Sequence, residues 1–186
     1  YNLGVYYFRH DRAAEAAREF EAAARLNPEY LKDPAFVWTL GQACERAGRE
    51  EDAFEHYERA SALDRESPEP PFRAGRIYLR RGMAPRAVER FSEAVRRDPR
   101  FASGHLLLAE AYLGMKRPDD ALAALRDGEQ ARPDDWALPL RRAEILLEQD
   151  RPQEAREAAR RALSLKPGEP AALRIVEQAG RAGRDP

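Results

Sequence analysis

The side chains in this sequence that could do chemistry are one thiol, three imidazoles and several runs of carboxylates. A thiolate nucleophile needs an adjacent base, and nothing along the chain resembles a nucleophile with its base. Cys44 is therefore read as a buried spacer. A single cysteine also excludes an internal disulfide and any multi-cysteine metal site. His10, His56 and His105 sit at different places in the pattern described below, with no pair on one helix face at ligand spacing, so they are assigned structural or surface roles. Carboxylates cluster in Glu50-Glu51-Asp52 and Asp134-Asp135, near expected helix starts, where they favour the helix dipole and cap exposed amides. Gly180 and Gly183 fall in a polar tail without a preceding strand or a suitable lysine, which rules out a phosphate loop. The expectation is a chain with no catalytic, cofactor-binding or metal site, and not an enzyme.

The 186 residues are 43% hydrophobic, enough to bury a core, and 35% charged, with signs that nearly cancel to a formal net charge of -1. Basic and acidic residues alternate every few positions, as on a solvated helix face, instead of forming the basic stripe of a nucleic-acid binder. No nucleic-acid partner is expected. No run of about 18 apolar residues is present to insert into a bilayer. The chain opens at Tyr1, without a methionine and inside a helical pattern, so it reads as a piece of a longer protein. Its compartment, cytoplasmic or periplasmic, stays open.

The elements that position these residues are revealed by small side chains at a fixed interval. Ala53, Ala87, Ala121 and Ala155 are each 34 residues apart. Ala60, Ala94, Gly128 and Ala162 form a second ladder seven residues further on, and Pro99, Pro133 and Pro167 a third. Pro28 stands where the first unit needs it, twelve residues after Ala16. A unit of 34 residues with two apolar helical stripes, a small residue at the crossing and a terminal proline resembles the tetratricopeptide repeat (TPR), from Tyr1-Asn2-Leu3-Gly4, Tyr7, Ala16, Phe20, Ala23 and Pro28 onward. The next units carry Leu40, Gly41, Ala53, Tyr57 and Ala60, then Gly75, Tyr78, Ala87, Phe91, Ala94 and Pro99. The fourth has Leu108, Ala109, Tyr112, Ala121, Leu125 and Gly128; the fifth has Ala143, Leu146, Ala155, Ala159 and Ala162. The resemblance implies an all-α, right-handed superhelical solenoid of antiparallel helix pairs. Its repeats are expected at about 1–30, 34–67, 68–101, 102–135 and 136–169, with a capping or partial-repeat helix over 170–182.

Gly41, Gly75, Ala53 and Ala87 are expected to let paired helices approach closely. Phe20, Tyr57 and Phe91 are expected to fill the space between one pair and the next, and the prolines to stop second helices. Two departures stand out. Gly4 to Gly41 spans 37 residues, placing about three extra within Tyr30 to Pro34, and Arg65 occupies a proline slot, followed by Pro68, Pro70 and Pro71. Leu173 and Val176 have helical spacing in the final helix.

In TPR proteins the first helix of each pair lines a concave binding groove, and the resemblance implies one here. The inward slots would hold Tyr1, Trp38, Phe72, Leu106 and Leu140, then Val5, Gln42, Arg76, Glu110 and Glu144, then Phe8, Glu45, Leu79, Leu113 and Leu147. Trp38 and Phe72 are expected to stay partly exposed and to dominate binding; packing against neighbouring helices competes as an explanation of the whole stripe. Arg9, Arg46, Arg73, Arg76 and Arg80 precede Glu110, Glu144 and Glu148, predicting a bipolar groove that orients a peptide or helix. The clamp by which some TPR domains hold an acidic chaperone tail is incomplete: Asn2 fits, but Lys32, Lys116 and Lys166 lie off the inner face. His105 takes a slot where the motif often has tryptophan. The function expected is a protein-interaction scaffold, in bacterial envelope, secretion or signalling machinery by analogy with an Arg- and Ala-rich composition. The alternatives are the regulatory or substrate-presenting arm of a larger enzyme, self-assembly into homo-oligomers through terminal repeats, and an RNA-reading pentatricopeptide array, against which the 34-residue ladders argue.

Overall fold

The computed structural model describes residues 1–182. It is built of α-helices, with no strand among the described residues. The chain divides into two compact units, one of residues Tyr1–Arg97 and one from Asp98 onward. The first holds α1 (Asn2–Arg9), α2 (Ala13–Leu26), a 3-10 turn (Pro28–Lys32), α3 (Pro34–Arg46), α4 (Glu50–Leu63), α5 (Glu69–Arg80) and α6 (Ala84–Arg97). The second holds α7 (Ala102–Gly114), α8 (Pro118–Ala131), α9 (Ala137–Glu148), α10 (Pro152–Leu165) and α11 (Pro170–Ala182).

Each helix pair closes on a complement of small and large side chains. A Cβ added to Gly4, Gly41 or Gly75 would lie 2.8–2.9 Å from the ring of Phe20, Tyr57 or Phe91 on the following helix. All three rings are fully buried. The ring ladder expected between pairs thus packs first on the glycine of its own pair; Phe20 also meets Phe36 of the next pair edge-on at 5.7 Å. In the fourth pair Ala109 and Leu125 take these two positions in the 34-residue register, and the close approach to a glycine falls elsewhere: a Cβ added to Gly128 of the second helix would lie 2.8 Å from the His105 ring. His105 is buried, with Nδ1 2.9 Å from the Ala124 carbonyl and Nε2 2.9 Å from that of Pro99. Cys44 is buried in the first core, and burial pushes its thiol up to about 11.

The turn inside each pair repeats one backbone device. Asp11, Gly48, Gly82, Lys116 and Asp150 all have φ between 55° and 75°. In the last four turns, the amide of that residue and the amide after it bond back to the helix end; Gly48 donates to the Glu45 carbonyl and Arg49 to that of Cys44, at 3.1 and 2.9 Å. This is the Schellman closure, which favours glycine because a Cβ is strained at positive φ. The arginine that follows then pairs with an acid three residues on: Arg12 with Glu15, Arg49 with Asp52, Arg117 with Asp120 and Arg151 with Glu154.

Turns between pairs follow the prolines: α2, α6, α8 and α10 end one residue short of the residue preceding Pro28, Pro99, Pro133 and Pro167. The extra residues of the first unit form the 3-10 turn. Where Arg65 replaces proline, Asp64 organises the turn, its Oδ1 accepting from the amides of Glu66 and Ser67 at 2.9 and 3.1 Å. Arg97, with only 8% of its side chain exposed, donates to the carbonyls of Ser61, Asp64 and Ser67 and closes the turn from α6. In α11 the buried residues are Ala172, Ile175 and Ala179; Val176 packs partly against the same core and Leu173 is 45% exposed. Gly180, expected in a polar tail, lies inside α11; Gly183 lies outside the described residues.

Two stability measurements test this account. Gly41→Ala forces a methyl against a fully buried ring and should cost about 1–3 kcal/mol, whereas Gly180→Ala, with open space around its Cβ, should be neutral or stabilising by up to about 1 kcal/mol; equal effects in thermal melts would refute the close-approach role. Lys116→Gly should stabilise by roughly 0.5–1 kcal/mol and Gly48→Ala should destabilise by about the same, and a neutral Gly48→Ala would show that the turn does not need positive φ.

Candidate partner-binding surface

In the first unit, the first helices α1, α3 and α5 are linked by side chains that reach from one to the next. Arg46 of α3 lies over the Phe8 ring of α1, its guanidinium carbon 4.3 Å from the centroid. Arg73 of α5 lies 5.9 Å from the centroid of Trp38 on α3. Between them sits Glu45: it accepts the Tyr57 hydroxyl at 2.6 Å and the Arg73 guanidinium at 3.3 Å, with Arg80 at 3.8 Å. Burial and the bond to Glu45 both hold the Tyr57 hydroxyl up, in its neutral form. Arg80 is bound more closely by Glu50, at 2.7 Å, and that arginine holds the Glu50 carboxyl below its usual range.

This accounting changes the charge expected of the surface. Arg73 and Arg80 are matched by carboxylates of their own unit, while among the described residues Arg9, Arg46 and Arg76 have no ion pair. Trp38 is half-buried, its ring 5.2 Å from that of Tyr57. Gln42 and Leu79 are half-buried beside it in sequence register. Phe72 departs from expectation: it is 8% exposed and packs at 5.8 Å from Phe91. With Pro70 and Pro71 also buried at the start of α5, that turn of the helix faces the interior, so Phe72 is not available as a partly exposed anchor. Tyr1 is 52% exposed but stacks on Tyr30 at 5.6 Å, and Val5 and Phe8 pack partly into the core.

A cleft of about 280 Å³ opens beside Trp38, bounded by the start of α3, the end of α4 and the start of α5. Its walls include Pro34, Ala60 and Pro70, with Asp64 and Glu69 at hand. Sequence reasoning found Trp38 but missed the two acids; they lie where the turn departs from the repeat, and only the departure itself signalled them.

In the second unit, Leu106, Leu113 and Leu140 are half-buried and pack on the core. Glu110 is exposed, and Glu144 pairs with Arg141 at 2.8 Å. Glu144, Leu147 and Glu148 share a hollow of about 300 Å³ with Ile175 and Gln178 of α11. Lys166, far from the first-helix faces in its role, lies 3.7 Å over the Trp136 ring. Among the described residues no group of three His, Cys, Asp or Glu side chains is placed to hold a metal, and no helix is long and apolar enough to cross a membrane.

Comparison with known proteins agrees with the repeat. Models described as tetratricopeptide repeat match residues 1–68 and then 46–111, 78–138 and 112–179. The TPR repeat-containing protein YpiA of Bacillus subtilis is 27% identical over 168 residues, which cover 89% of this chain and 39% of YpiA. The chain therefore spans well under half the length of that relative. MamA from Desulfovibrio magneticus RS-1 superposes with a TM-score of 0.75 at 19% identity, over 91% of this chain and 94% of that one. YrrB, described as a TPR protein with an unusual peptide-binding site, superposes with a TM-score of 0.64 at 19% identity, over 91% and 95%. At these identities the structural likeness is one of fold. The chain belongs to the tetratricopeptide repeat family, whose repeats are protein-interaction scaffolds.

Proposed function

We propose that the α1–α3–α5 face of the first unit binds a segment of another protein, with Trp38 as its apolar anchor and Arg9, Arg46 and Arg76 meeting its acidic side chains. The observation that carries this reading is a half-buried tryptophan at an open cleft, Trp38 of α3; Arg76 of α5, half-buried on the neighbouring first helix, has no ion pair among the described residues. Tryptophan and arginine are the residue types that dominate interface energy, and an unpaired arginine beside them adds steering and register more than affinity. A scaffold role accords with the family, and a bacterial setting with the Bacillus subtilis relative. Roles in envelope, secretion or signalling assemblies belong to the same proposal. Gln42, Leu79, Tyr1, Val5 and Phe8 form the margin of the face; Leu106, Glu110, Leu113, Leu140 and Glu144 are proposed as a separate contact surface of the second unit.

The test is affinity capture from native lysate with the parent chain, Trp38→Ala and Arg76→Glu, each checked by circular dichroism. A partner retained by the parent should be lost or weakened by about 2 kcal/mol with Trp38→Ala, and its association with the parent should slow as salt rises. Capture unaffected by either substitution would move the binding surface elsewhere and defeat the reading.

A further inference from the structure

The cleft beside Trp38 carries chemistry that the groove reading does not use. Its floor is apolar, with Pro34, Ala60, Pro70 and the indole, yet two carboxylates, Asp64 and Glu69, stand among its lining residues. Among the described residues Glu69, half-buried in the first turn of α5, has no ion pair. Asp64 commits one oxygen, Oδ1, to the amides of Glu66 and Ser67. Arg97 approaches Asp64 only at its carbonyl, at 2.9 Å, and is itself matched by Glu93 at 2.6 Å, so it leaves the Asp64 carboxylate uncompensated.

We propose that this cleft takes a basic side chain, arginine or lysine, of the bound segment. The inference rests on the groove reading and names the residue that enters beside Trp38. A basic side chain matches each feature in turn: methylenes lie along the prolines and alanine, the cationic head meets the indole face, and the two carboxylates accept its donors. An aliphatic side chain would desolvate the acids without replacing their water bonds, and an acidic one would meet like charge. The ring already receives one guanidinium, that of Arg73 at 5.9 Å, which Glu45 holds in place.

The arrangement also sets an order along the ligand. From Trp38 to Arg46 is eight residues of α3, roughly 12 Å at the helical rise, which an extended segment covers in about four residues. The basic residue and the acidic ones are therefore separated by about that number.

The probe is the peptide acetyl-Arg-Gly-Gly-Gly-Glu-Glu-amide, with norleucine in place of arginine and with glutamine in place of both glutamates as controls. Binding is read from the Trp38 indole N–H resonance, assigned with Trp136→Phe. The arginine peptide should shift that resonance saturably and bind about tenfold more tightly than either control, and Asp64→Asn with Glu69→Gln, which preserves the Oδ1 acceptor of the turn, should remove the difference from the norleucine peptide. Equal binding of the norleucine peptide, indifference to the two acids, or no shift at all overturns the proposal. If lysate capture depends on Trp38 and Arg76 while the indole ignores the arginine peptide, only this inference fails; if the peptide binds and capture does not depend on them, the partner reading fails instead.

Discussion

The structure depends on the fit of one large side chain into one missing side chain at each helix crossing. A glycine or alanine on the first helix lets the second approach until the ring of Phe20, Tyr57 or Phe91 touches its backbone. Interiors packed to crystal density tolerate little change in such a contact, and its position fixes the rotation of both helices about their axes. Once Gly41 faces Tyr57, the residues one turn away on α3 have their directions set: Leu40 and Cys44 point into the core, and Trp38, Gln42 and Glu45 are left half-buried. In the fourth pair the 34-residue register puts Ala109 and Leu125 at that crossing, both fully buried, and Gly128 adds a second close approach by accommodating His105.

The second constraint is charge. Tyr57 fills the space against Gly41 and also delivers a hydroxyl to Glu45, so the packing of the pair positions the carboxylate that gathers Arg73 and Arg80. These ion pairs are partly exposed and add little to stability individually. Their effect on function is subtractive: they remove two of the five arginines from the charge offered to a partner and leave Arg9, Arg46 and Arg76. The five arginines that the sequence places on this face are, in three dimensions, unmatched by carboxylates of the described residues only at selected places.

The repeat, the helix pairs and the stops at Pro28, Pro99, Pro133 and Pro167 were legible in the sequence because they follow from local rules with a period: small residues where backbones cross, and prolines where amide donors end. Cys44 as a core spacer was legible for the same reason. The status of Phe72 was not, since the same aromatic slot is half-buried at Trp38 and 8% exposed at Phe72, whose ring lies 5.8 Å from Phe91, and residue type alone does not separate the two. The neutralisation of Arg73 and Arg80 was also hidden, because Glu45 and Glu50 lie about thirty residues away.

The cleft at Trp38 arises where the sequence leaves its own rule. With Arg65 in the proline slot, the α4–α5 turn is organised by the Asp64 side chain and by Arg97 from α6, two polar devices in place of one rigid ring. Both keep polar side chains at the turn, and Asp64 and Glu69 border the cleft for that reason. A proline at residue 65 would preset the backbone without needing an Asx turn, and would leave nothing to favour an acid beside the indole. Local rules in natural chains tend to be broken at functional sites, and here the break and the open cleft share the same few residues. On the proposed reading, the irregular turn of the first unit is where a ligand would be told apart from its neighbours.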